Sequence, residues 1–339
     1  MINAIAPVRI CDNGGWTDTW FAQYGAIFNI AVSPYAEVRV EVFPAQPDRE
    51  QIWLDVQDYG DHYAVDPGQH SWGRHPLLEA AIKLMGVPED NAIRISITSQ
   101  MPSGASVGTS AAVTVALVGA LDCLTPGRMT PHRVAMTAHQ VETEMLDRQS
   151  GVQDQLSSAY GGINYIEMPE YPYAHVSPIQ ISEGTWWELE HRLALVYLGK
   201  AHDSSQVHEK VIQKLENAGP ECKQLEDLRL TAEKSRAAVL SGDFSALGMA
   251  MIENTEAQAR LHPSLVNHEA WQVIEIAQKY GALGWKVNGA GGEGGSLTLL
   301  CGSSVATRKQ MLHEIEVQNE MWQNIPINLD RYGLRTWEQ

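Results

Sequence analysis

The chain has 339 residues, enough for roughly two domains and a sizeable core. With 44% hydrophobic and 19% charged residues it is too apolar for a disordered protein. A net charge of −17 disfavours non-specific binding to nucleic acid or anionic lipid, although a local pocket can still take a small anion. The longest strongly apolar run, Ala111 to Leu121, is too short to span a bilayer, and Arg9 and Asp12 interrupt any secretory leader near the start. Cys11, Cys123, Cys222 and Cys301 are scattered, without zinc-site or disulfide-framework spacing. The expected compartment is a reducing cytoplasm.

In chain order, Ala36 to Pro44 alternates, with Val38, Val40 and Val42 on one face and Glu37, Arg39 and Glu41 on the other, which predicts a half-buried strand. Leu77 to Met85 reads as a short helix, and Ile93, Ile95 and Ile97 as a second alternating strand. A helix is expected from about Thr109 to Leu124. Another starts at Thr130, an N-cap followed by Pro131 at the first helical position, and buries Val134, Ala138, Val141 and Met145. The stretch from Pro169 to Thr185, rich in Pro, Tyr, Ser and Gly, suits a boundary. Leu193 to Leu198 reads as a buried strand. Helical patterns follow at about 204–216, 223–240, 243–259 and 265–280, and a last strand pair flanks Gly289 to Gly295. The pattern predicts an α+β protein in two halves.

Three small-residue segments carry the chemistry. The segment Pro102-Ser103-Gly104-Ala105-Ser106-Val107-Gly108-Thr109-Ser110-Ala111-Ala112 follows a strand and opens an apolar helix. Small residues let backbone close around a phosphate, and the helix N-terminus supplies free N–H groups and a positive dipole end. Thr109 and Ser110 add hydroxyls. The segment has neither the Gly-Lys-Ser/Thr of a Walker A loop nor a GxGxxG pattern, and read alone it is equally a well-capped turn. In Lys286-Val287-Asn288-Gly289-Ala290-Gly291-Gly292-Glu293-Gly294-Gly295, so many glycines suit close backbone approach, or else a flexible hairpin loop. In Arg9-Ile10-Cys11-Asp12-Asn13-Gly14-Gly15-Trp16-Thr17-Asp18-Thr19, a short strand should lead to exposed polar groups beside a Trp. Carboxylates accept paired hydroxyls and an indole face suits the apolar side of a sugar ring, although read alone the segment is more often an ordinary turn.

Together and in this order the three segments resemble the signature motifs of the GHMP kinases, over essentially the whole chain. The middle one is similar to the family's Pro-x-x-x-Gly-Leu-Gly-Ser-Ser-Ala loop, and the last to its Lys-x-x-Gly-Ala-Gly-Gly-Gly-Gly segment. Gly14-Gly15-Trp16-Thr17-Asp18-Thr19, with Gly151-Val152-Gln153-Asp154-Gln155 and Ala159-Tyr160-Gly161-Gly162, resembles the fucokinase and heptose-7-phosphate kinase branch. The resemblance implies a two-domain fold, with domains over 1–180 and 181–339 and the active site in the cleft between them.

The resemblance also implies ATP and Mg2+, with a small sugar or sugar phosphate as the other substrate. It makes Asp154 and Arg9 the catalytic pair. It puts Gly104, Ala105, Ser106, Val107, Gly108, Thr109, Ser110, Gly289, Gly291 and Gly292 around the ATP phosphates. Gly15, Trp16, Thr17, Asp18 and Gln153 face the sugar, and Ser110 and Glu142 hold the metal. Glu142 precedes Asp154 by the branch's usual 12 residues, but the helix pattern alone does not separate Glu142 from Glu144. The roles are physically coherent: phosphoryl transfer depends on positioning and charge neutralisation, and magnesium takes few protein oxygens.

Departures from the family pattern are equally legible. Ser106 and Val107 stand where the family has Gly and Leu, and Ser tolerates positive φ poorly. Glu293 interrupts the last glycine run. His202 replaces an Arg that heptose-phosphate kinases carry, which favours an unphosphorylated sugar; His202 and His208 read equally as surface residues. The resulting expectation is phosphorylation of a sugar's anomeric C1 hydroxyl. The alternatives are a heptose-7-phosphate kinase making a 1,7-bisphosphate and a non-catalytic ATP- and sugar-binding regulator. Intact Arg9, Asp154, Ser110 and Glu142 argue against the regulator.

Overall fold

The structure, a computed structural model, describes every residue except 47–48, 67, 69–70, 200–203 and 293, and the backbone alone for 204–208 and 210. Glu293 and His202, and the side chain of His208, therefore lie outside the described residues.

Among the described residues the chain forms two sheets. The first has eight strands: β1 (Ile2–Asn13), β2 (Gly25–Pro44), β3 (Ile52–Val56), β4 (Asp61–Ala64), β5 (Asn91–Ser99), β6 (Ile163–Glu170), β7 (Tyr173–Pro178) and, from the far end of the chain, β12 (Arg335–Glu338). Strand β2 is the spine. Its second half pairs with β5 and its first half with β6, while β1 runs antiparallel along its other side. β3 and β5 pair in parallel. The second sheet has the order β11-β8-β10-β9, from β8 (Leu193–Tyr197), β9 (Gly284–Val287), β10 (Ser296–Leu300) and β11 (Gln323–Ile325), all antiparallel.

Helices α1 (Pro76–Met85), α2 (Thr109–Asp122), α3 (Pro131–Gln140) and α4 (Gln153–Tyr160) belong to the first half of the chain. Helices α5 (Glu183–Arg192), α6 (Ser204–Leu215), α7 (Lys223–Ser241), α8 (Phe244–Leu261), α9 (His268–Lys279) and α10 (Val305–Gln318) follow. Helix α2 is apolar nearly all round because it is buried nearly all round, from Ala111 through Leu121. None of the helices is long and apolar enough to cross a membrane among the described residues.

Most expected elements are present within a few residues, including the Thr130 cap, whose side chain accepts the N–H of Arg133. Four differences are instructive. The alternating strand at Ala36–Pro44 is the second half of a 20-residue strand whose first half is buried on both faces and so does not alternate. Val38 and Val40 are buried, but Val42 near the strand end is 39% exposed. The helix begun at Pro131 passes into a π-helical turn over Val141–Met145, leaving Met145 only partly buried. The stretch from Pro169 to Thr185 is not a bare linker: β7 lies inside it and closes a hairpin with β6. The last strand leaves the second half altogether, β12 pairing with β1 from Ile2 to Ile5.

Candidate active site

The three small-residue segments and the turn before α4 converge on one cleft of about 630 Å3. Each is brought there by a specific piece of backbone.

Arg9 sits in the middle of β1, opposite Ala31 of β2, with its side chain 4% exposed. Its backbone N–H donates to the carbonyl of Val107 at 2.9 Å, which ties the small-residue loop to the strand. Its guanidinium then makes two bonds across the cleft floor: Nε donates to Asp154 Oδ1 at 2.7 Å and Nη1 to the carbonyl of Ser106 at 2.7 Å. Burial alone would favour neutral arginine, but Asp154 and Asp12 outweigh it and raise its pKa further above its ordinary value.

The Arg9–Ser106 bond also resolves the departure at Ser106. The residue does adopt a positive φ of 58°, in a loop flanked by Gly104 at 77° and Gly108 at 75°. A left-handed Ser costs roughly 1–2 kcal/mol, which the charged donor on its carbonyl offsets. Gly108 is the N-cap of α2 and offers no side-chain cap, so the first amides of that helix are left for a ligand. The Oγ1 of Thr109 is buried without a hydrogen-bond partner among the described residues. An anionic, oxygen-rich group fits such a cradle.

Beyond Ile10 the register of β1 slips: Asn13, not Asp12, comes opposite Phe28, and Cys11 takes φ 55°. The turn that follows needs Gly14, because a Cβ there would stand 2.0 Å from the carbonyl oxygen of Ala26. It delivers Asp18, 2% exposed, to the start of α4, where its carboxylate accepts the backbone N–H of Gln153 at 3.1 Å and Nε2 of the same residue at 3.4 Å. Val152, the N-cap of α4, makes no side-chain cap bond, so Asp18 supplies the cap from 135 residues away. Burial pushes the Asp18 carboxyl up to about 6, with Asp154 adding to the rise and the Gln153 bond and Arg9 opposing it.

The polar groups of this turn are therefore buried rather than exposed. Trp16, 7% exposed, lines the cleft while packing with Phe21, Ala22 and Ile212. Thr17 is wholly buried and its hydroxyl donates to the carbonyl of Gly14 at 2.7 Å, so it holds the turn rather than facing the cleft. Gly15 packs between Asp12 and the amide of Gln153.

Glu142 lies in the π-helical turn, half-buried, and lines the same cleft as Ser110 and Asp154. Burial raises its pKa, Asp154 adds to the rise, and Ser150 and Arg148 oppose it. Glu144 is exposed and accepts from Gln140 Nε2 at 2.7 Å, so the structure separates the two carboxylates that periodicity left open. Among the described residues, no group of three or more His, Cys, Asp and Glu side chains could hold a metal unaided. Ser110 and Glu142 suit a magnesium ion that takes its remaining oxygens from phosphate and water.

From the third segment, Gly289 and Ala290 line the cleft. Gly291 and Gly292 turn away: a Cβ on Gly291 would meet the carbonyl oxygen of Leu265 at 1.9 Å, and the carbonyl of Gly292 accepts from Asn267 Nδ2 at 2.6 Å. Sequence reasoning passed over Asp12 and gave Lys286 no role. Asp12 is 1% exposed between Arg9 and Lys286, and an acid three residues after an arginine inside an apolar strand was the available signal. Gly151, legible only as the start of a motif, is sterically constrained: a Cβ there would stand 2.1 Å from Asp18 Oδ2.

A strand-borne arginine paired with a carboxylate, beside a glycine-lined helix N-terminus, suits the positioning and charge neutralisation that phosphoryl transfer needs in a small-molecule kinase. The GHMP kinases N terminal domain matches residues 76–162, which include the small-residue loop, α2, Glu142 and Asp154. A mevalonate kinase from Thermococcus sibiricus is 30% identical over 311 residues, covering 88% of this chain and 83% of that protein. A bifunctional fucokinase/GDP-fucose pyrophosphorylase from Arabidopsis thaliana is 26% identical over 86% of this chain, which spans only 29% of that longer protein. Among solved structures, a D-glycero-D-manno-heptose 1-phosphate kinase from Bacteroides thetaiotaomicron superposes with a TM-score of 0.77 at 19% identity, covering 100% of this chain and 99% of that one. The chain belongs to the GHMP kinase family.

Proposed function

We propose that the protein is an ATP- and Mg2+-dependent kinase that phosphorylates a sugar hydroxyl, the anomeric C1 hydroxyl of a free sugar. One observation carries the reading: the Arg9–Asp154 pair lies beside the glycine-lined start of α2, with Asp18 bound to the adjacent residue, Gln153. Likeness to a fucokinase-bearing protein supports a sugar rather than another alcohol.

In this reading Asp154 accepts or orients the proton of the attacking hydroxyl, and Arg9 holds that carboxylate in place and faces the transferring phosphoryl charge. The amides of Gly104 to Ser110, with Gly289, take the phosphates. Asp18, with Gln153, takes sugar hydroxyls. Ser110 and Glu142 would hold magnesium, which neutralises phosphate charge when bound. The domains proposed over 1–180 and 181–339 both contribute to the cleft, the second through Glu209, Ile212, Gly289 and Ala290.

A phosphorylated sugar is the second reading. It is favoured by Arg148, a cation exposed on the cleft wall near Glu142.

ADP release, measured with ATP and Mg2+ over a panel of free sugars, sugar phosphates and mevalonate, tests these readings. The product is located by phosphorus NMR. Turnover of a free sugar to a 1-phosphate supports the first reading, and turnover of sugar phosphates alone the second. ATP and sugar binding without turnover would make the protein a regulator. Turnover of mevalonate alone would overturn the sugar assignment.

A further inference from the structure

A buried lysine lies beside the cleft. Lys286, on β9, is 1% exposed. Its ammonium stands 3.1 Å from Asp12 Oδ1, donates to Gln258 Oε1 at 3.0 Å, and also donates to the carbonyl of Val287. Its two side-chain partners reach past it to the same residue. Asp12 Oδ2 accepts the backbone N–H of Gly289 at 3.0 Å, and Gln258 Nε2 donates to the carbonyl of Gly289 at 2.8 Å. Both polar atoms of Gly289 are therefore held by side chains that share one ammonium.

What Gly289 presses against gives this arrangement its consequence. With φ at 57°, a Cβ on Gly289 would stand 2.6 Å from the carbonyl oxygen of Ser106 and 3.3 Å from Arg9 Nη2. Gly289 is thus the back wall of the Arg9–Ser106 bond. Asp12 adds a second link, 3.9 Å from Arg9 Nη1. A buried ion pair is a poor device for stability, because desolvating two charges offsets most of their attraction. It is a good device for fixing geometry, since each partner has few alternative places to go.

We propose that Asp12, Lys286 and Gln258 form a positioning clamp that sets Gly289, and through it Arg9, against the phosphate loop. The inference rests on the kinase reading above, in that Arg9 is taken to serve the transferred phosphoryl group. Lys286 and Gln258 do not line the cleft, and Asp12, which does, is bound to Lys286 and Gly289; the three act through Gly289 and Arg9. Lys286 neutralises the Asp12 carboxylate, which otherwise competes with Asp154 for the guanidinium. Gln258 fixes the Gly289–Ala290 peptide and Asp12 the Asn288–Gly289 peptide, so Gly289 is held on both sides.

Three variants test the clamp. Gln258→Glu keeps an acceptor for Lys286 and removes the donor to Gly289. Lys286→Met strands the Asp12 charge. The pair Asp12→Leu with Lys286→Met removes both charges and every bond to the Gly289 N–H. The readouts are kcat, the sugar KM, Tm, and ATP affinity by calorimetry without sugar. A clamp requires Gln258→Glu to lower kcat by roughly 10-fold or more, with ATP binding weakened and the sugar KM nearly unchanged, because small displacements at a reacting centre are costly.

Lys286→Met should lower both Tm and kcat. The double variant should regain Tm, since an apolar pair replaces a buried ion pair, and yet keep a low kcat. A double variant that regains both, or a Gln258→Glu protein with unchanged kcat and ATP affinity, would overturn the clamp and leave a structural ion pair. If the unsubstituted protein turns over no substrate, the kinase reading fails by itself. ATP affinity then decides the clamp: a loss in Gln258→Glu upholds it and an unchanged value overturns it.

Discussion

The Nε–H of Arg9 reaches Oδ1 of Asp154 over 2.7 Å, and the two partners meet solvent very differently: the Arg9 side chain is 4% exposed and that of Asp154 is 29% exposed. A fixed cation on the floor thus steadies a carboxylate that reaches into the open cleft. Arg9 also spends its Nη1 on Ser106, so it fixes carboxylate and phosphate loop together. Arg9→Lys keeps the charge and loses the planar fork that makes both bonds. It should lower kcat by roughly 10-fold or more while leaving sugar affinity nearly intact, as steady-state kinetics would show. Combined with Asp154→Asn, the losses should fall short of the product of the single effects, because the two residues act as a unit.

Asp18 gives the site a pH dependence. Its folded pKa of about 6 lies above the ordinary 3.8, so the folded state holds the proton more tightly than the unfolded chain. The stability it contributes is present below about pH 4 and is lost as the pH rises through 6. Sugar binding runs the other way, since the ionised carboxylate is the better acceptor. The sugar KM should therefore fall as the pH rises through 6. Asp18→Asn should raise Tm at pH 8, weaken sugar binding by roughly 10-fold or more and flatten this pH dependence. A variant with unaltered sugar kinetics would remove Asp18 from the substrate site.

A substitution at Gly151 should separate sugar binding from nucleotide binding. A methyl group there would stand 2.1 Å from Asp18 Oδ2, so the carboxylate must move. Gly151→Ala should raise the sugar KM with little change in ATP affinity by calorimetry. Equal weakening of both would mean that the whole turn before α4 had collapsed.

Ser110 and Glu142 are tested through the metal. Ser110→Ala and Glu142→Gln should each raise the Mg2+ concentration needed for half-maximal turnover, with sugar affinity in direct binding unchanged. Equal loss of metal-dependent turnover and sugar binding would contradict the assignment.

How much of this was legible depends on what each residue answers to. The helix from Thr109, the Thr130 cap and the strands around Ile95 and Leu195 follow local periodicity and capping, which any sequence displays. The motif resemblance added Arg9, Asp18, Glu142 and Asp154, which the fold brings to one cleft although up to 145 residues separate the bonded pair. The first half of β2 was illegible because it is buried on both faces, and β7 because its Pro and Tyr read as linker. Thr17, Gly291 and Gly292 share motifs with cleft residues but turn inward, a matter of backbone direction that spacing does not encode. Asp12 and Gln258 escaped because their partners lie 277 and 31 residues away at Gly289.

The central claim is that Asp154 handles the proton of a sugar hydroxyl whose phosphoryl donor lies against the Gly104–Ser110 loop. Single-turnover phosphoryl transfer from ATP, compared between the unsubstituted protein and Asp154→Asn with a sugar found by the panel, tests it most directly. The substitution keeps the shape and removes the charge. The expected result is a transfer rate lower by roughly 10²-fold or more, with ATP and sugar affinities largely retained. A transfer rate within a few-fold of the unsubstituted protein would contradict it and make the Arg9–Asp154 pair structural.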